Sequence, residues 1–177
     1  MMRRTGSILA ATLMLGVGAP MTAQDASGTI GQVIVTRVKA GMGKQYQEGR
    51  KRHLAWHKKQ GDSWTWNTSE VTSGPYTGSY VTVSFGHRWK DFDDWEARFG
   101  QGDTADVDQN LTPYSESATI SYYEYLADLS RPAAGPAKMS EVVHFLLNPE
   151  KEPEFRHTLQ RAHEARSEEH TSELQSQ

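Results

Sequence analysis

Residues 30–57, IGQVIVTRVKAGMGKQYQEGRKRHLAWH, decide the fold. The first nine are β-branched and apolar, the composition of a strand. Gly41 and Gly43 then break the extended chain, and a polar–apolar pattern runs from Lys44 to Gln60, which predicts a helix. At about 100° per residue, Met42, Tyr46, Gly49, His53 and His57 fall in one narrow arc with Trp56 at its edge. Lys44, Lys51, Arg52, Lys58 and Lys59 fall outside it. A strand, a glycine turn and an amphipathic helix open an α+β unit.

The chain downstream completes that unit. Trp64 and Trp66 alternate with Ser63, Thr65 and Asn67 as a second strand, and SGPYTG at 73–78 turns the chain. Val81, Val83 and Phe85 alternate with Tyr80, Thr82 and Ser84, so a third strand forms a hairpin with the second. Phe92, Trp95 and Phe99, at spacings of three and four, predict a second helix over 89–99. Residues 100–117 read as a polar loop, and TISYYEYL at 119–126 as a fourth strand. The order βαββαβ over residues 30–130 is the split βαβ of a ferredoxin-like fold. After an alanine- and proline-rich linker at 131–137 the pattern begins again. VVHFLL at 142–147 is a strand, Asn148-Pro149 a turn, and 150–165 a helix with Phe155, Leu159 and Ala162 on one face. An offset of 109 residues lays Asn148-Pro149 over Lys39-Ala40 and Phe155 over Tyr46. Residues 138–165 are therefore read as the start of a second ferredoxin-like copy, truncated after its first helix.

Both ends read differently from the middle. Arg3 and Arg4 precede the apolar run ILAATLMLGV at 8–17, and small residues follow. These are the regions of a cleavable secretory signal over 1–23, too short to span a bilayer, so a secreted or periplasmic location is expected with no membrane association after cleavage. RSEEHTSELQS at 166–176 resembles a translated reading frame of a sequencing-library adapter, and residues 166–177 are expected to be foreign to the domain. Of 177 residues none is cysteine, which excludes disulfide frameworks, thiolate metal sites and cysteine nucleophiles. The net charge of -3 supports no nucleic-acid partner. No P-loop, dinucleotide-binding glycine motif or nucleophile elbow occurs.

With VTRVKAGMGKQYQEGRKRHLAWH leading into the first helix, the arrangement over about residues 30–165 resembles the dimeric α/β-barrel superfamily of ferredoxin-like domains, within it NIPSNAP-like and antibiotic-monooxygenase-like proteins. The resemblance implies two sheets closing into a barrel, either in a homodimer or between tandem copies in one chain. It also implies a ligand lodged between sheet and helices. Members include cofactor-free monooxygenases, haem-dependent enzymes and proteins without known activity, so the resemblance leaves the reaction open.

His53 and His57, four apart, stack on the helix face that should meet the sheet. The position of His53 corresponds to Ala162 in the second copy, so the fold does not demand histidine there. Three readings stand: hydrogen-bonded core histidines, ligands of a transition metal or haem iron, and pocket groups that orient a substrate or shuttle a proton. Two imidazoles alone do not complete a metal site. His87, at the end of the third strand, is the candidate third group. Trp64 and Trp66 share one strand face and Tyr123 and Tyr125 another; if both look into one cavity, an aromatic pocket with Tyr46 and Trp56 results. The run from Lys44 to Lys59 is basic and that from Asp91 to Asp128 acidic, which reads as mutual attraction and solvation. Asp103, Asp106 and Asp108 lack the ligand spacing of an EF-hand. The leading expectation is a protein that binds a small aromatic or apolar ligand between sheet and helices, with no cofactor favoured. Its rival is a monooxygenase-like or haem- or metal-dependent enzyme using His53, His57 or His87.

Overall fold

The computed structural model describes residues 9–15, 28–130 and 139–175, with side chains from 28 to 165. The chain divides into two compact units. The larger, from residue 28 to Tyr125, holds β2 (Ile30–Val38), α1 (Gly43–Gln60), β3 (Asn67–Glu70), β4 (Tyr80–His87), α2 (Trp89–Trp95), α3 (Gln101–Asn110) and β5 (Ser115–Glu124). The smaller contains β1 (Leu9–Leu15), β6 (Glu141–Leu147) and α4 (Glu152–Gln175).

In the larger unit the antiparallel sheet has the order β3-β4-β2-β5. That order, with one helix after the first strand and helices before the last, is ferredoxin-like. The register sorts the side chains. Thr36 pairs with Tyr80 and bonds the Tyr46 hydroxyl, and Gln32 pairs with Tyr122, which packs against Trp89 and Phe92. These residues therefore face the helices. Val33 pairs with Val83, and Gly31 with Tyr123, on the opposite face. Tyr46, only 2% exposed, anchors α1 by lying 4.9 Å from the Tyr80 ring.

Three local expectations are corrected. The second strand begins at Asn67, after both tryptophans, because Asp62 bends the chain into an Asx turn: its Oδ1 accepts the Trp64 amide at 3.0 Å. The polar stretch after residue 99 is helical rather than a loop. A π-helical turn, Glu96–Gly100, carries α2 directly into α3. The fourth strand starts four residues earlier than its apolar pattern suggests, at Ser115.

In the smaller unit β1 and β6 pair antiparallel, Leu9 opposite Leu147 and Leu15 opposite Glu141. β6 ends at Leu147 and α4 begins at Glu152, as β2 ends at Val38 and α1 begins at Gly43, the 109-residue offset again. The adapter-like string continues α4 to Gln175, since glutamate, glutamine and leucine are good helix formers even without an apolar face. The linker at 131–137, and residues 1–8 and 16–23 of the expected signal, lie outside the described residues. Among the described residues no helix is long and apolar enough to cross a membrane.

Candidate functional site

Helix α1 ends in a Schellman turn. Gly61, at φ 71°, donates its N–H to the Lys58 carbonyl, and Asp62 donates its N–H to the His57 carbonyl at 3.1 Å. This turn folds the Asp62 side chain back against the helix. There its carboxylate, 1% exposed, lies 2.9 Å from His57 Nδ1, off the ring's N–H axis. Asp62 Oδ2 also accepts the indole N–H groups of Trp66 at 3.3 Å and Trp95 at 3.2 Å. One buried carboxylate thus fixes the terminal turn of α1, the Trp64–Trp66 segment and α2.

Helix α3 runs antiparallel along α1 at close range. A side chain at Gly49 would collide with the Asn110 carbonyl, and one at Gly102 would press on the Trp56 ring. Arg52 adds a hydrogen bond to Asn110 Oδ1 at 2.7 Å. This approach brings Asp103 and Asp106, three apart on α3, onto His53 and His57, four apart on α1. His53 Nδ1 lies 2.8 Å from Asp106 Oδ1. The two Nε2 atoms lie 3.0 Å apart, and Asp103 Oδ1 is 3.5 Å from His53 Nε2 and 3.3 Å from His57 Nε2. Trp56, Trp66 and Trp95 enclose the pair, with ring centroids 5.1, 5.8 and 6.2 Å from His57. Burial, then the neighbouring His53, pushes the His57 pKa below its usual 6.5, against the pull of Asp62. Burial also raises the Asp103 pKa above 3.8, opposed by His53 and reinforced by Asp106.

The other expected site residues are distributed around this cluster rather than gathered in it. His87 is buried at the end of β4. Its Nε2 lies 2.7 Å from Ser84 Oγ, and its ring stacks on Trp64 with centroids 3.7 Å apart. It reaches neither His53 nor His57; Asp103 takes the third position. Burial lowers the His87 pKa below 6.5, with Asp91 and Asp62 opposing. Tyr46 belongs to the core under α1. Trp64 and Trp66 contact each other on the helix side of the sheet, but Tyr123 projects from the opposite side, so the three do not line one cavity. Beside the cluster a cleft of about 230 Å³ is lined by Asp62, Trp64, Asp94, Trp95, Arg98 and Phe99. Haem, which the family resemblance leaves open, does not fit these residues. The Nε2 atoms of His53 and His57 face each other and Asp103 too closely for a macrocycle to enter, and Nε2 of His87 faces Ser84.

The sequence singles out Asp103 and Asp106 only as calcium ligands without the required spacing, in an acidic run that looks solvated, and Asp62, outside both charged runs, not at all. The signal was present as the spacing of Asp103 and Asp106, which complements the histidine spacing across a helix pair.

No protein-family model and no curated protein matches the chain. Several solved structures are similar to part of it. A NIPSNAP family protein from Agrobacterium tumefaciens is similar at 13% identity and a TM-score of 0.45, covering 53% of this chain and 90% of its own. An uncharacterised NIPSNAP domain protein from Burkholderia xenovorans matches at 14% and 0.47, covering 55% and 95%. A candidate antibiotic biosynthesis monooxygenase from Bordetella bronchiseptica matches at 12% and 0.46, covering 56% and 99%.

Proposed function

We propose that residues 28–125 form a small-molecule-binding domain whose ligand, flat and aromatic, enters the cleft beside Trp64. The observation that carries this reading is the cleft itself. Trp64, Trp95 and Phe99 supply apolar faces, while Arg98 and Asp94 supply charges that can fix orientation. Trp64 is held in place by its stacking on His87, and Asp62 holds Trp95 and the Trp64 amide, so the walls are formed before a ligand arrives. At about 230 Å³ the cleft suits a ligand of one or two rings. Tryptophan fluorescence titrated with a panel of indoles, phenols and naphthols tests this. Saturable quenching with a rise in Tm, both lost in Trp64→Ala, is expected; no response to any member overturns the reading.

The same proposal includes export directed by residues 1–23, checked by N-terminal sequencing of protein recovered outside the cytoplasm. It also includes a homodimer, checked by sedimentation. Acid–base work by the His53–His57 pair is the second reading, favoured by the carboxylates beside their outer nitrogens.

A further inference from the structure

The inner nitrogens of His53 and His57 can share a hydrogen bond only if His57 carries its proton on Nε2, which leaves a bare Nδ1 beside the Asp62 carboxylate. A carboxylate only accepts, so His53 carries its proton on Nδ1, toward Asp106 at 2.8 Å. Asp62, 2.9 Å from His57 Nδ1, favours a proton there as well. Both Nε2 atoms are then bare, and they face each other at 3.0 Å with the Asp103 oxygen at 3.3 and 3.5 Å. Three lone pairs converge on one point. Three carboxylates, Asp62, Asp103 and Asp106, surround these two rings, and among the described residues no lysine or arginine nitrogen lies within 4.0 Å of any of them. Such a cluster calls for a cation at its centre.

We propose that His53 Nε2, His57 Nε2 and an Asp103 carboxylate oxygen bind one divalent first-row transition-metal ion. The spacing fits. Ligand atoms at bonds of about 2.0–2.1 Å around a tetrahedral ion stand about 3.3 Å apart, and the three edges here are 3.0, 3.3 and 3.5 Å. The donor set of two imidazoles and one carboxylate suits zinc, iron(II) or cobalt(II) rather than calcium or magnesium. His53 Nδ1 is backed by Asp106, the carboxylate–histidine–metal arrangement that orients a ligating ring and raises its basicity, and the Asp62 carboxylate lies beside His57 Nδ1. Asp62 is in turn fixed by two indoles and a backbone amide. Three protein ligands leave at least one position for water or a substrate atom, as in catalytic rather than structural sites. This site is separate from the residues proposed to hold an aromatic ligand, except that Asp62 and Trp95 border both.

The test is cobalt(II) binding to the untagged full chain after dialysis against EDTA. The expected result is one cobalt per chain with visible d–d absorption of a four- or five-coordinate ion, displaced by zinc, and a Tm that falls on chelation. Asp103→Asn, nearly isosteric and checked for folding by far-UV circular dichroism, should weaken binding by at least 10-fold, and His53→Ala should abolish the band. Asp106→Asn, which touches the ion only through His53, should cost about 10- to 100-fold in affinity. His157→Gln, at an exposed position of α4, should change nothing. Absence of cobalt absorption, as a proton shared between the two rings would give, overturns the assignment. So does binding that survives in both Asp103→Asn and His53→Ala.

Discussion

Two stretches of the chain share a plan and differ in what they carry. Ile30–Val38 followed by Gly43–Gln60, and Glu141–Leu147 followed by Glu152–Gln175, are each a strand, a short turn and a helix, with strand end and helix start offset by 109 residues. Tyr46 and Phe155 occupy matching positions, and Phe155 packs on Phe145 of its own strand at 5.3 Å as Tyr46 packs on Tyr80. The first stretch adds His53 and His57 along the buried face of its helix, where the second has Ala162 at the position of His53. The contrast teaches that strand, turn and aromatic anchor build the plan, while the histidines are an addition that the plan does not need.

The largest expected effect concerns the anchors. Tyr46 is 2% exposed, wedged between α1 and the sheet, whereas Phe155 is half-buried. Tyr46→Ala should cost about 3–5 kcal/mol in urea unfolding, and Phe155→Ala less than about 1.5 kcal/mol. Equal losses would break the comparison by showing that the second anchor seals a core of similar quality. Next comes the close approach of α1 and α3. Gly49→Ala forces a methyl group against the Asn110 carbonyl and should cost about 1–3 kcal/mol. In the second stretch the position of Gly49 is held by Thr158, which is exposed, and Thr158→Ala should stay within about 0.5 kcal/mol. A neutral Gly49→Ala would mean that the helix pair tolerates separation and that the histidine–aspartate cluster is loosely held.

What could be read ahead of the structure follows the same division. Periodicity revealed β2, β4 and α1, because Val33, Val35, Val81 and Val83 alternate and Tyr46, Gly49, His53 and His57 share an arc. It missed α3, whose contact face is made of Gly102, Asp103, Asp106 and Asn110 rather than apolar residues. A helix that packs through glycine and carboxylates leaves no hydrophobic pattern. Trp64 and Trp66 show strand alternation, yet the chain there obeys Asp62, a single residue whose hydrogen bonds outweigh the propensity of its neighbours. The site was legible as two histidines on one face. Its carboxylates were not, because the partners of a helix face lie on another helix, and one sequence does not announce which elements will pack.

A smaller effect is expected where the two stretches differ most directly. His53→Ala gives the first helix the residue of the second. It removes one of the converging lone pairs but leaves Asp106, 14% exposed at its side chain, without its partner. These terms oppose each other, so metal-free protein should change by no more than about 1 kcal/mol. A loss beyond about 2 kcal/mol would assign His53 to the structural plan and erase the distinction drawn between the two helices.

The slightest effect is a dependence on acidity confined to the first unit. His87 is buried under Trp64, while His157 on α4 is exposed. Burial holds the folded-state pKa of His87 below 6.5, so as pH falls through 6.5 the unfolded chain takes up a proton before the folded one does. Stability should therefore be full above pH 6.5, decline as the medium is acidified, and level off once the folded-state group also protonates. His87→Asn, which keeps a polar partner for Ser84 without a titrating ring, should flatten the change in urea midpoint between pH 7 and pH 5, whereas His157→Asn should leave it intact. If the slope survives His87→Asn unchanged, the acid sensitivity belongs elsewhere, and His57, buried among its aspartates with a pKa lowered in the same direction, is the group to replace next.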